Sequence, residues 1–194
     1  MFNIARFVDD CRDALVLSDP VRTISEMLSN AIKYPGAIDT ALGLGNAIGD
    51  ESAQYTFLHQ SPELTILRVI MPGHLQSPPH NHLVWAVVGM YRGNENNVFY
   101  RKNDDRIELS GHRNLVAPEV MVLDADIIHG ISNPLPHRSY ALHVYGGTLA
   151  NPARSLWNPF TLSEESFQLP VMLQYERELM RQAGSEGNQD RSRK

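Results

Sequence analysis

Three histidines carry the strongest chemical signal in the chain. His80 and His82 stand one residue apart in "PPHNHLVWAVVGMYRG", residues 78–93, and His129 lies in "DADIIHGISNP", residues 124–134. Residues i and i+2 of a strand point to one face, so the first two imidazoles project together from a strand that Pro78-Pro79 delimits. Two neutral imidazoles on one face chelate a divalent metal of the iron, nickel or zinc type. The single cysteine, Cys11, excludes a disulfide framework and any CxxC zinc or redox motif. Metal chemistry must therefore use histidines and carboxylates.

The elements that would position these residues are mostly strands. From about residue 52 the chain breaks into eight β-rich runs, from "QYTFLHQ" to "SYALHVYGG", with turn residues between them. Runs spaced by roughly ten residues, with no helical pattern between them, predict an antiparallel sandwich or barrel rather than βαβ units. Residues 1–45 instead carry apolar residues at helical spacing (Ile4, Phe7, Val8, Cys11, Leu15), and Asp19-Pro20 reads as an N-cap followed by proline at the first helical position. Helical spacing returns at about 163–183, and residues 184–194 are polar and aperiodic, the pattern of a disordered tail.

Size and charge bound the rest. The chain has 194 residues, 42% hydrophobic, enough for one domain over residues 1–183. With 17 basic against 22 acidic residues, its net charge of −5 argues against a nucleic-acid partner and toward small molecules. The N-terminal residues lack a signal-peptide pattern and no apolar run suits a membrane span, so a cytoplasmic monomer or small homo-oligomer is expected.

The two histidine stretches together resemble the paired motifs of the cupin superfamily, His-x-His followed about fifty residues later by His-x-x-x-Asn, here His129 and Asn133. The resemblance implies a double-stranded β-helix, or jelly-roll barrel, with His80, His82 and His129 as metal ligands. Where many cupins carry a glutamate ligand, this chain has Ala86 and Val87. Three neutral imidazoles leave the full +2 charge on Fe(II), which favours an anionic ligand such as a thiolate.

More specifically, "HNHLVWAVVGMYRGNE" and "SYALHVYGG" resemble the bacterial thiol dioxygenases, the family of cysteine and 3-mercaptopropionate dioxygenases. The likeness spans roughly residues 50–160. It implies an Fe(II) cofactor (zinc or nickel in a purified sample), dioxygen and a small thiol carboxylate as substrates, and a sulfinate product. Tyr145 would lie beside the iron with His143 orienting it, Arg154 would take the substrate carboxylate, and Trp85 would contact substrate. Three departures stand out: Ala141 replaces the serine that partners the histidine, Phe57 the early-strand arginine of the animal enzymes, and Val87 their crosslinking cysteine. Two alternatives accompany this reading: another three-His cupin enzyme (a carbon-carbon-cleaving dioxygenase, isomerase or hydrolase), and a non-catalytic cupin that binds a small molecule.

Overall fold

The computed structural model describes residues 2–43, 52–104, 106–151 and 153–191, with side chains to residue 183. Helices α1 (Ile4–Ala14), α2 (Pro20–Ile32) and α3 (Pro35–Leu42) come first. The side chains of Asn3 and Asp19 accept the N–H groups of Arg6 and Arg22, capping α1 and α2, and Pro20 and Pro35 open their helices. Eleven strands follow: β1 (Gln54–Gln60), β2 (Thr65–Met71), β3 (His80–Asn81), β4 (Ala86–Arg92), β5 (Asn94–Asn103), β6 (Arg106–Val116), β7 (Glu119–Leu123), β8 (Ile128–Ser132), β9 (Ser139–Tyr145), β10 (Ser155–Trp157) and β11 (Glu164–Ser166). Helix α4 (Leu169–Arg191) ends the described chain.

The strands form two antiparallel sheets, one ordered β1-β2-β9-β4-β7 and the other β11-β10-β3-β8-β5-β6. Strands β2 to β9 supply β2-β9-β4-β7 to one sheet and β3-β8-β5-β6 to the other, which is jelly-roll connectivity. The expected mostly-β barrel with helices before and after it is therefore what the chain forms.

Apolar residues fill both faces of the first sheet, which is why "WAVVGMY" does not alternate in polarity. Ala86, Val88 and Met90 turn into the barrel with Leu67, Val69 and Met121. Val87 and Tyr91 face outward onto Ile24, Leu28 and Ile32 of α2. Gly89 is required by that close approach, because a Cβ there would lie 2.7 Å from Leu28 Cγ and 3.1 Å from Ile32 Cγ2.

Three boundaries differ from the sequence reading. The run "HLVWAVVGMY" is not one strand: it breaks between β3 and β4, which lie in different sheets, and Leu83 takes a left-handed turn (φ 58°) at the crossing. "RNLVAPEVMVLD" divides likewise into the end of β6 and β7. At the C-terminus, residues 164–166 form β11 rather than helix, and α4 continues to Arg191 through residues expected to be a tail. Pairing of β11 with β10 overrides the local helical spacing there.

The contact of α2 on β4 gives a direct test. Gly89→Ala must push Leu28 and Ile32 aside in a packed layer and should cost about 1–3 kcal/mol, lowering Tm by about 2–4 °C per kcal/mol. Thermal unfolding measures this, and an unchanged Tm contradicts the packing described.

Candidate metal centre

The two-residue strand β3 and strand β8 place the first two of the three histidines. In their antiparallel pairing His80 stands directly opposite His129, the register in which side chains approach most closely across a ladder. His82 follows one residue later, at the start of the crossing to β4. The rings form a tripod, with centroids 5.1 Å apart for His80 and His82, 4.9 Å for His80 and His129, and 5.0 Å for His82 and His129. One nitrogen from each lies within 4.8 Å of the others.

Hydrogen bonds turn these rings inward. His80 Nδ1 donates to the Pro78 carbonyl at 3.1 Å, and His129 Nδ1 pairs with Asn97 Oδ1 at 2.9 Å. Asn97 is held in turn, since its amide donates to Glu95 Oε1 at 2.9 Å. Glu95 and Asn97 are i and i+2 on β5, so one strand face delivers the whole chain of contacts to His129. The remaining His129 Nε2 is buried without a partner, as is His82 Nδ1. Buried polar atoms are nearly always satisfied, so a tripod with orphaned nitrogens fits a metal ion.

Burial keeps the imidazoles neutral, the form in which they bind metal. Desolvation holds His80 down to about 4 and His143 to about 3, and holds His82 and His129 well below the usual histidine value. Desolvation also raises the carboxyl of Glu95 to about 7 against the opposing Asn97 hydrogen bond.

On β9, Ala141, His143 and Tyr145 share the inward face. The Tyr145 ring lies 5.0 Å from that of His82, and its hydroxyl is 2.9 Å from His143 Nδ1. Beyond His143 the chain of hydrogen bonds stops: Nε2 is buried and unpartnered, with Ala141 two residues before it.

Arg154 comes from the segment leading into β10 and is 5% exposed. Its Nε donates to the carbonyl of Asn81, between the two ligand histidines, at 2.9 Å, and Nη1 donates to Leu149 O at 3.0 Å. Its guanidinium lies 3.8 Å from the Phe167 ring centroid. Among the described residues no carboxylate forms an ion pair with it. A buried guanidinium whose described partners are all neutral can pair with an anion.

These groups line one cavity of about 210 Å³. Its polar end holds His80, His82, His129, His143, Tyr145 and Arg154; Leu67, Val69, Ile131 and Met172 form apolar walls, and half-exposed Phe57 stands at the rim. Among the described residues no Asp or Glu lines it. Trp85 is not brought here. Its ring covers Gly146, where a Cβ would come within 2.0 Å of it, and it packs against the helix-side core. Val87 also faces the helices. Asn133 is structural: its amide donates to the carbonyls of Met71, Pro72 and His137, tying down the turn after β8. Asn97, Asn81 and Tyr55 were missed in the sequence. Asn97 alone left a trace there, two residues after Glu95 on a strand.

No family model matches the chain. Among solved structures it is similar to the cupin domain of Cnp3 from Schizosaccharomyces pombe, with a TM-score of 0.43 and 10% identity over 50% of this chain and 61% of that one. It is also similar to oxalate oxidase in complex with the substrate analogue glycolate (TM-score 0.46, 18% identity, 57% of each chain). A third is the DMSP lyase DddQ from Ruegeria pomeroyi (TM-score 0.46, 19% identity, 60% of this chain and 57% of that one). The chain covers less than two thirds of the length of each.

Two outcomes follow from the geometry. Asn97→Ala frees the His129 ring and should weaken metal binding about 10–100-fold, as measured by competition with a chromophoric chelator; unchanged affinity contradicts the orienting role. The second concerns acid. As pH falls from 6.5 toward 4 the unfolded chain protonates His80, His82, His129 and His143 while the folded protein keeps them neutral, which destabilises the fold. Glu95 and Glu176, both raised to about 7, act the other way, because the folded state holds protons that the unfolded chain releases. Four groups against two leave the imidazoles dominant, so Tm of the metal-free protein should fall over this interval. A flat or rising Tm there contradicts buried neutral imidazoles.

Proposed function

We propose that the chain is a thiol dioxygenase that converts a small thiol carboxylate and dioxygen to a sulfinate, with Fe(II) as cofactor. The observation that carries this reading is the pairing, in one small cavity, of a three-imidazole tripod with a buried arginine that lacks an acidic partner. Fe(II) held by His80, His82 and His129 would supply the one-electron chemistry that joins dioxygen to a thiolate. Both oxygen atoms end on sulfur, R–S⁻ plus O₂ giving R–SO₂⁻, and no further reductant is needed.

The chain's own residues bind and orient. Arg154, braced by Asn81, Leu149 and Phe167, receives the carboxylate on its remaining N–H groups. In the tautomer with the proton on His143 Nδ1, that N–H donates to Tyr145 Oη and the phenol has its own proton to offer into the cavity. The apolar walls exclude water and strengthen these polar contacts. An ammonium group would find no carboxylate among the lining residues and would share the cavity with Arg154, which favours an amine-free acid such as 3-mercaptopropionate over cysteine.

Oxygen consumption and sulfinate formation on iron-loaded protein test the reading. Turnover should be highest with 3-mercaptopropionate, lower with cysteine and lowest with cysteamine. Arg154→Met should lower kcat/KM for 3-mercaptopropionate by about 30-fold or more, from the ~2–5 kcal/mol that truncating one member of a buried charge pair costs. Cysteamine, which has no carboxylate and carries an ammonium that Arg154 repels, should lose no turnover in this variant. No turnover with any of the three thiols at full iron occupancy defeats the proposal.

A further inference from the structure

Glu176 is a buried carboxyl that the chemistry above does not use. It lies on α4 at 0% exposure and bridges to the first strand of the barrel. Oε2 accepts the Ala53 N–H at 3.0 Å, and Oε1 accepts the Tyr55 hydroxyl at 2.9 Å. Both ends of the bridge belong to walls of the cavity, which takes Tyr55 and Phe57 from β1 and Leu169 and Met172 from α4. Met172 precedes Glu176 by four residues and so shares its helix face, and Tyr55 packs in the same cluster as Met172. Packing alone could be served by an apolar side chain at position 176, without the cost of desolvating a carboxyl. What the carboxyl adds is direction, since two hydrogen bonds fix the placement of α4 on β1 where apolar contact tolerates sliding.

We propose that Glu176 is a positioning residue for ligand binding. Its bridge to Ala53 and Tyr55 sets Met172 and Leu169 against Tyr55 and Phe57 as a fixed outer wall, and that wall limits the size of the carboxylic acid that Arg154 holds. The ligand class is a short-chain acid whose apolar body fits between the polar end and this wall. The inference rests on the carboxylate part of the preceding reading and is independent of thiol oxidation.

Calorimetric affinities of propanoate and hexanoate for zinc-loaded protein test it without turnover. Wild type should prefer propanoate. Glu176→Leu and Tyr55→Phe should each reduce that preference about tenfold, equivalent to ~1.4 kcal/mol, within the range for residues in direct contact. The double variant should lose no more than Glu176→Leu alone, because that substitution already removes the bond that Tyr55→Phe deletes. Glu176→Gln, which keeps an acceptor for Ala53 and a polar group for Tyr55, should retain the preference. Should Glu176→Leu not fold, Tyr55→Phe carries the test, since it deletes one hydroxyl alone. The same preference ratio in all folded variants, or no acid bound by wild type, overturns the inference. Intact propanoate preference without sulfinate formation counts against thiol oxidation and leaves the wall standing.

Discussion

A ladder two residues long organises this molecule. Pairing of His80 with His129 and of Asn81 with Ile128 joins β3 to β8 and sets two imidazoles opposite each other. Asn81 also braces the polar end of the cavity. The Asn81 carbonyl accepts from Arg154, and its side chain accepts the Ser155 N–H at 2.8 Å, which draws β10 alongside β3. Directly afterwards the chain leaves this sheet through the left-handed turn at Leu83, carrying His82 across the barrel interior toward the other sheet. The histidine tripod and the placement of Arg154 are thus two outcomes of one backbone arrangement.

Burial does the chemical tuning. A jelly roll whose first sheet is covered by helices encloses an interior in which burial holds imidazoles such as His80 neutral and raises the carboxyl of Glu95 to about 7. The polar residues kept there form short chains of hydrogen bonds, each ending on a residue of the cavity: Glu95 through Asn97 to His129, and Glu176 to Tyr55. Arg154 is the exception, a charge in the interior with carbonyls and an aromatic face but no counter-ion. That imbalance is what the proposed carboxylate binding rests on.

The sequence showed the ligands because their signal is local. His-x-His and His-x-x-x-Asn can be read from spacing, and the strand period places Ala141, His143 and Tyr145 on one face. The split of "HLVWAVVGMY" was hidden, because an apolar run covered on both faces looks the same whether it is one strand or a crossing followed by a strand. Asn81, Asn97 and Glu176 were hidden for a different reason. Their partners lie 73, 32 and 121 to 123 residues away, and no periodicity reports contacts of that range. Trp85 erred the other way, since its place beside the ligand histidines suggested the cavity while the turn at Leu83 sends it over Gly146.

The central claim is that three imidazoles hold a metal with room beside it for a thiol. Electron paramagnetic resonance of the iron-loaded protein, exposed anaerobically to nitric oxide as a dioxygen mimic, measures this directly. A nitrosyl signal that changes when 3-mercaptopropionate is added, and that is lost in His129→Ala, is the predicted result. A nitrosyl spectrum indifferent to the thiol at full iron occupancy would contradict the account.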